Sequence, residues 1–112
     1  MIDKIEELLI AIKADYYKWT SKNGTKELSD INKEMIEEFN EAVRFNVATK
    51  YIKVTVGGSV WGFVVKTDAD KKFKKGDILK AAGWSTPARN AARGNVIEGG
   101  YNISWTGATY LK

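Results

Sequence analysis

Three arginines stand among fifteen lysines in this chain, and two of them, Arg89 and Arg93, fall within thirteen residues, GWSTPARNAARGN from Gly83 to Asn95. The same stretch holds the sole proline, Pro87, a tryptophan, Trp84, and two amides, Asn90 and Asn95. A guanidinium donates in a planar fork that matches phosphate oxygens, which an ammonium cannot do. Asparagine offers donors and an acceptor to ribose hydroxyls or a base edge, and an indole offers a stacking face. This is the inventory of a nucleotide pocket: Arg89 and Arg93 for phosphate or diphosphate, Asn90 or Asn95 for ribose, Trp84 or Phe73 for the base. A helical turn across ARNAAR would set the two arginines four apart on one face, within reach of one phosphate. A purely structural use of the same residues stands beside this one. Trp84 could be core, Asn95 could bridge backbone in a turn, and the arginines could pair with Glu37, Glu38 or Glu41. Trp61 and Trp105 suit either a second pocket wall or the core.

The residues that are missing narrow the chemistry. The chain has no cysteine and no histidine, which removes thiol nucleophiles, thiolate metal sites, imidazole bases and most zinc sites. Its five serines include none in a nucleophile-elbow context, since Gly83-Trp84-Ser85-Thr86-Pro87 ends in proline. Asp68 and Asp70 lack the remaining ligands and the glycine of a calcium loop, and Gly76 and Gly83 flank Asp77 without forming a phosphate loop. The expectation is a binder without a metal or resident cofactor, holding a ligand instead of transforming it.

Charge is divided along the chain. Residues 1–50 carry eight Lys and Arg against ten Asp and Glu, whereas residues 51–112 carry ten against four. The second half is therefore the one suited to an anion. The run KTDADKKFKK from Lys66 to Lys75 also reads as a solvated lysine-rich surface. No apolar run is long enough to cross a membrane, and MIDKIEELLIAIK carries acids unlike a signal peptide, so a soluble cytoplasmic protein is expected.

The elements that must position these residues follow from periodicity. Ile2, Ile5, Leu9, Ile12, Tyr16 and Trp19 repeat at helical spacing, which predicts a first helix ended by SKNG, with Tyr16 and Trp19 in the core. A second helix is expected from Leu28 or Ser29 to about Asn46, with Leu28, Ile31, Met35, Phe39, Ala42 and Val43 on its apolar face and Ser29 or Asp30 as N-cap. The pair could close on itself, on the sheet, or on a second subunit. From Tyr51 the period becomes two: YIKVTV and SVWGFVVK flank Gly57-Gly58 as a hairpin. GDILKAAGW reads as a short helix capped by Asp77 or as a loop. Val96-Ile97 and the stretch from Tyr101 to Thr106 read as two more strands. The expected fold is α+β in a single domain 1–112, with an antiparallel helical pair over residues 1–48, then a small antiparallel sheet, the short helix and the basic ligand-binding loop over 49–112.

The segments WGFVVK, FKKGDILKAAGWSTPARNAARGN and SWTG, within residues 61–107, resemble small tailed-phage proteins, and the layout is similar to the phage sponge family that counters Thoeris immunity. That resemblance implies sequestration of a cyclic ADP-ribose signal without cleavage, in pockets formed where subunits of a homo-oligomer meet. Under it, Arg44 of the second helix joins the ligand candidates from a partner subunit. Two further expectations carry different partners: single-stranded nucleic acid, for which a basic half with aromatics also suffices, and a host protein gripped by Trp84 and Arg89.

Overall fold

Two helices lie on one face of a four-stranded antiparallel sheet, and irregular chain covers much of the other face. The computed structural model describes residues 1–22, 27–89, 91–99, 101 and 103–108. The α+β class read from the sequence is the one observed, with two N-terminal helices ahead of the sheet.

Helix α1 (Ile2–Thr20) forms on the spacing of its apolar residues, burying Ile5, Leu8, Leu9, Ile12 and Tyr16 against the sheet and α2. Each fully buried aliphatic side chain here stabilises by roughly 1.5–3 kcal/mol relative to exposure. Trp19 departs from the expected core role: it is 60 % exposed, because Thr20 takes the inward position on the last turn. Helix α2 (Asp30–Ala42) begins at Ser29, whose hydroxyl accepts from Asn32 N while the Asn32 side chain accepts from Ser29 N, a reciprocal capping box. Its inward face differs from the expected one. Phe39 is buried and Ile36 packs on the core, whereas Ile31 is 70 % exposed and Met35 is on the margin.

Helix α2 also ends earlier than its pattern implies. Val43 leaves the helix with extended backbone and begins strand β1 (Val43–Val47), so the sheet starts at residue 43 and not at 49. β1 pairs with β2 (Tyr51–Val56), which turns at Gly57-Gly58 into β3 (Ser59–Val65). Gly57 sits at φ 58, the left-handed region that such a turn demands. The pairing shifts where Val54 meets Gly62 and Thr55 meets Val60, leaving Trp61 as the extra residue of a bulge. The Trp61 indole Nε1–H then donates to Ser104 O at 2.9 Å, tying the sheet to a small hairpin of β5 (Ile103–Ser104) and β6 (Gly107–Ala108).

GDILKAAGW is not a helix. Ile78–Lys80 form strand β4 at the sheet edge, paired with β3, because Ile78 and Leu79 must enter opposite apolar layers, which only alternating residues achieve. Val96-Ile97 likewise form a turn and no strand. Strand order is β1-β2-β3-β4. Ile52, Val54, Val64 and Ile78 face the helices, while Phe63, Val65 and Leu79 face Phe73 from the 66–76 loop and Ala92. Among the described residues no helix is long and apolar enough to cross a membrane.

Candidate functional site

The segment from Gly83 turns back at Thr86, whose carbonyl accepts from Ala82 N and Gly83 N, and from Pro87 on its described residues lie beside the outer edge of β4. Ala88 N donates to Lys80 O and Arg93 N to Ile78 O, both at 2.7 Å, while Ile78 N donates to Gly94 O at 2.8 Å. Bridges Ala81 to Pro87 and Asp77 to Asn95 bracket it. The helical turn expected across ARNAAR is therefore absent among its described residues, because the backbone groups it would have used are spent on β4. Asn90 lies outside the described residues.

The two arginines bond to β4 carbonyls or loop partners at different points. Arg89 meets Asp70 of the facing loop in a two-point pair, Nη1 to Oδ2 and Nη2 to Oδ1, both at 2.9 Å. Arg89 Nη1 also donates to the Tyr51 hydroxyl, and its guanidinium stands 4.9 Å from the centre of the Phe73 ring. The Asp70 carboxylate is almost fully covered, at 1 % exposure, and accepts in addition from Lys72 N at 2.8 Å and Phe73 N at 2.9 Å. Arg89 and those two amides hold the Asp70 carboxyl well below the usual carboxylate range, and Asp70 in turn raises Arg89. The acid that pairs with Arg89 is thus Asp70 and none of the α2 glutamates. Arg93 Nε donates to Ala91 O at 3.3 Å, so the two arginines serve different partners.

Asn95 has its side chain fully used inside the fold. Its Nδ2 donates to Lys75 O at 3.0 Å and Asp77 Oδ1 at 2.9 Å, and its Oδ1 accepts from Ile97 N and Glu98 N. At 5 % exposure, with both donors and both lone pairs engaged, it is a corner brace and not a ribose contact. Phe73 is 5 % exposed, a floor for Arg89 and not an open stacking face.

Trp84 is different. It is 57 % exposed, and the Lys53 ammonium lies 4.4 Å from its ring centre. Lys53 and Tyr51 are two residues apart on β2, on the face away from the helices, which places them about 7 Å apart along the strand. Arg44 joins them from the same chain. It pairs with Thr55 on β1, with Val43 and Phe45 turned to the helix core, so Arg44 lies on the Lys53 face as a diagonal neighbour at roughly 7–8 Å. Reach from a partner subunit is not needed to bring Arg44 to this face.

Next to Arg89 the surface sinks into a cleft of about 490 Å³ lined by Thr49, Lys50, Thr67, Asp70, Lys71 and Arg89. Three cations face one acid there, and the acid is already paired. Arg89 keeps two of its five N–H donors outside its bonds to Asp70 and Tyr51. The second sheet face therefore carries a cation-lined cleft and, one strand position further on, an exposed indole with Lys53 and Arg44. Residue type alone does not single out Lys50, Tyr51 or Lys53, and it marks Asp70 only as one of a close acid pair with Asp68. The alternation of YIKVTV, which puts Tyr51 and Lys53 on one face, was the available signal.

No protein-family model matches the chain, and no match is found among curated proteins or solved structures.

Proposed function

We propose that this protein binds a phosphorylated nucleoside on the second face of its sheet and holds it unchanged, with a cyclic adenine nucleotide of the cyclic ADP-ribose type as the ligand and sequestration of a signal as the outcome. The observation that carries this reading is the spacing on β2. Tyr51, which bonds Arg89 at the cationic cleft, and Lys53, which stands over Trp84, are two residues apart on one face. A ligand with phosphate in the cleft and base on Trp84 would run past these two residues, and Arg44 supplies a further cation on the same face. Absence of histidine and cysteine from the sequence supports holding over cleavage.

Trp84 stands 57 % exposed, so a second copy of the chain closing over it fits this reading, in keeping with a homo-oligomeric phage sponge. The test is to incubate the protein with cyclic ADP-ribose, remove free ligand, denature, and identify what is released by mass spectrometry. Intact nucleotide supports the reading, a cleaved product makes the protein an enzyme, and no release at any protein concentration overturns it.

Single-stranded nucleic acid is the second reading, favoured by the exposure of Trp84 and by the exposed lysines of the 66–76 loop. Salt separates the two. A strand that displaces many counterions weakens steeply with ionic strength, whereas one or two phosphates in a cleft respond shallowly.

A further inference from the structure

On the opposite side of the molecule, the last turns of α1 and the β5–β6 hairpin form a second aromatic surface that the nucleotide reading does not use. Tyr16 stacks on Phe39 with ring centres 4.0 Å apart, and Trp105 meets Tyr16 edge-on at 5.0 Å. Trp19 leans on Trp105 at 5.1 Å and on Tyr16 at 6.0 Å. Trp19 is therefore fixed by two ring contacts and still 60 % exposed. An indole held in place while presenting most of its surface has lost its rotamer entropy before any ligand arrives.

Around these two indoles three depressions run in series. The central cleft, about 680 Å³, is lined by Asp15, Lys18, Trp19, Lys22, Ser104, Trp105 and Thr106. A groove of about 430 Å³ continues from it past Trp19 toward Asn32 and Met35, and another of about 260 Å³ continues past Trp105 toward Ser59 and Trp61. Trp19 and Lys22 wall both the central cleft and the first groove, and Trp105 and Thr106 wall both it and the second, an arrangement that suits an extended ligand of several units. Its polar groups are the hydroxyls of Ser59, Ser104 and Thr106, the Asn32 amide, the Lys18 and Lys22 ammonium groups and the Asp15 carboxylate. Ser104 Oγ and Thr106 Oγ1 share a hydrogen bond at 2.6 Å, and Asp15 Oδ2 accepts from Trp105 N at 2.8 Å, which locks the carboxylate onto the same wall. At the outer end lies Thr20, whose Oγ1 is the one buried side-chain polar atom without a hydrogen-bond partner among the described residues.

We propose that this series of clefts is a binding site for a short oligosaccharide, with consecutive pyranose rings laid on Trp19 and Trp105. The apolar C–H face of a sugar ring packs on an indole, and its hydroxyls pair with neutral hydroxyl, amide and carboxylate groups around the rim. Adjacent indoles at 5.1 Å and tilted by 50° offer successive platforms about one sugar residue apart with a built-in twist. This inference stands apart from the nucleotide reading and uses none of its residues.

The experiment is a titration of the intact protein with chitotriose, cellotriose and maltotriose in turn, followed by the indole N–H signals in heteronuclear NMR. Saturable shifts of the Trp19 and Trp105 signals with at least one trisaccharide, while Trp84 stays unmoved, are expected. Trp19→Ala should weaken that binding by roughly tenfold or more, since it removes one of two platforms, and Thr106→Val should weaken it with all four indoles still present. No shift with any of the three, or shifts of the same two signals by adenosine monophosphate alone, overturns the proposal. Because the first measurement uses the unaltered chain, a variant that fails to fold does not blur the result.

Discussion

Asp70 and Arg89, nineteen residues apart, clamp the 66–76 loop to the segment that edges β4 through two parallel N–H···O bonds of 2.9 Å, with the carboxylate at 1 % exposure. The native Asp70 carboxyl titrates below its ordinary value because Arg89 and two backbone amides favour its charged form. Between the native and ordinary values the unfolded chain binds more protons than the folded one. Stability from this pair is therefore complete above the ordinary carboxylate range, near pH 4, and declines as pH falls below it. Urea midpoints measured from pH 7 down to pH 2 should fall across the acid limb, and Asp70→Asn should flatten that limb while lowering the plateau. An unchanged acid limb in the variant would remove Asp70 from this role.

Trp84→Ala tests the base platform. The ring is mostly exposed, so the melting temperature should hold, with a stability change within about 0.5 kcal/mol. Affinity for cyclic ADP-ribose should drop by roughly tenfold to a hundredfold, as loss of one stacked base contact costs about 1–3 kcal/mol. Calorimetry on both proteins gives the comparison.

Arg44→Ala and Lys53→Ala probe the cations beside that platform. Each should weaken ligand binding severalfold at low salt, with the difference shrinking as ionic strength rises. A loss that does not respond to salt would argue that neither side chain acts through charge.

Asn95→Ala should behave in the opposite way to Trp84→Ala. It strips partners from Lys75 O, Asp77 and the amides of Ile97 and Glu98. Unsatisfied buried groups cost about 1–3 kcal/mol each, so a total loss on the order of 3 kcal/mol is expected in chemical denaturation. Where the variant folds, its ligand affinity should match that of the parent.

Gly94→Ala reports on the same corner through backbone geometry. Gly94 has φ 149, and an added Cβ would lie 2.5 Å from the Tyr101 Cβ. A destabilisation above about 1 kcal/mol is expected, read from the thermal midpoint.

What the sequence made legible was decided by how far each feature depends on distant chain. Helix α1 and the Gly57-Gly58 hairpin declare themselves from local pattern and both form, although the two ends of the α1 stripe, Ile2 and Trp19, stay exposed. Strand β4 did not, because ILK is too short for periodicity to separate strand from helix, and its strand state rests on pairing with β3. The end of α2 was hidden for a related reason. Phe39 and Val43 keep helical spacing, yet Val43 is drawn into the ladder opposite Val56. At the candidate site, the presence of a notable Arg89 was readable from composition, but its partner Asp70 comes from another loop and no local spacing announces it. Asn95 shows the limit of reading by residue type: the groups that suit a ribose equally suit a turn, and burial decides between them.

The strand order β1-β2-β3-β4 makes neighbours in the sheet neighbours in the chain, with short turns between the first three. Such contacts close small loops, so the meander can zip early and quickly. The Asp70–Arg89 clamp and the Trp61–Ser104 tie, the latter spanning forty-three residues, close only afterwards. A chain emerging from the ribosome would thus hold every residue of its cationic cleft once Arg89 is released, while the helix-side layer still waits for Val96, Trp105 and the Trp61–Ser104 tie.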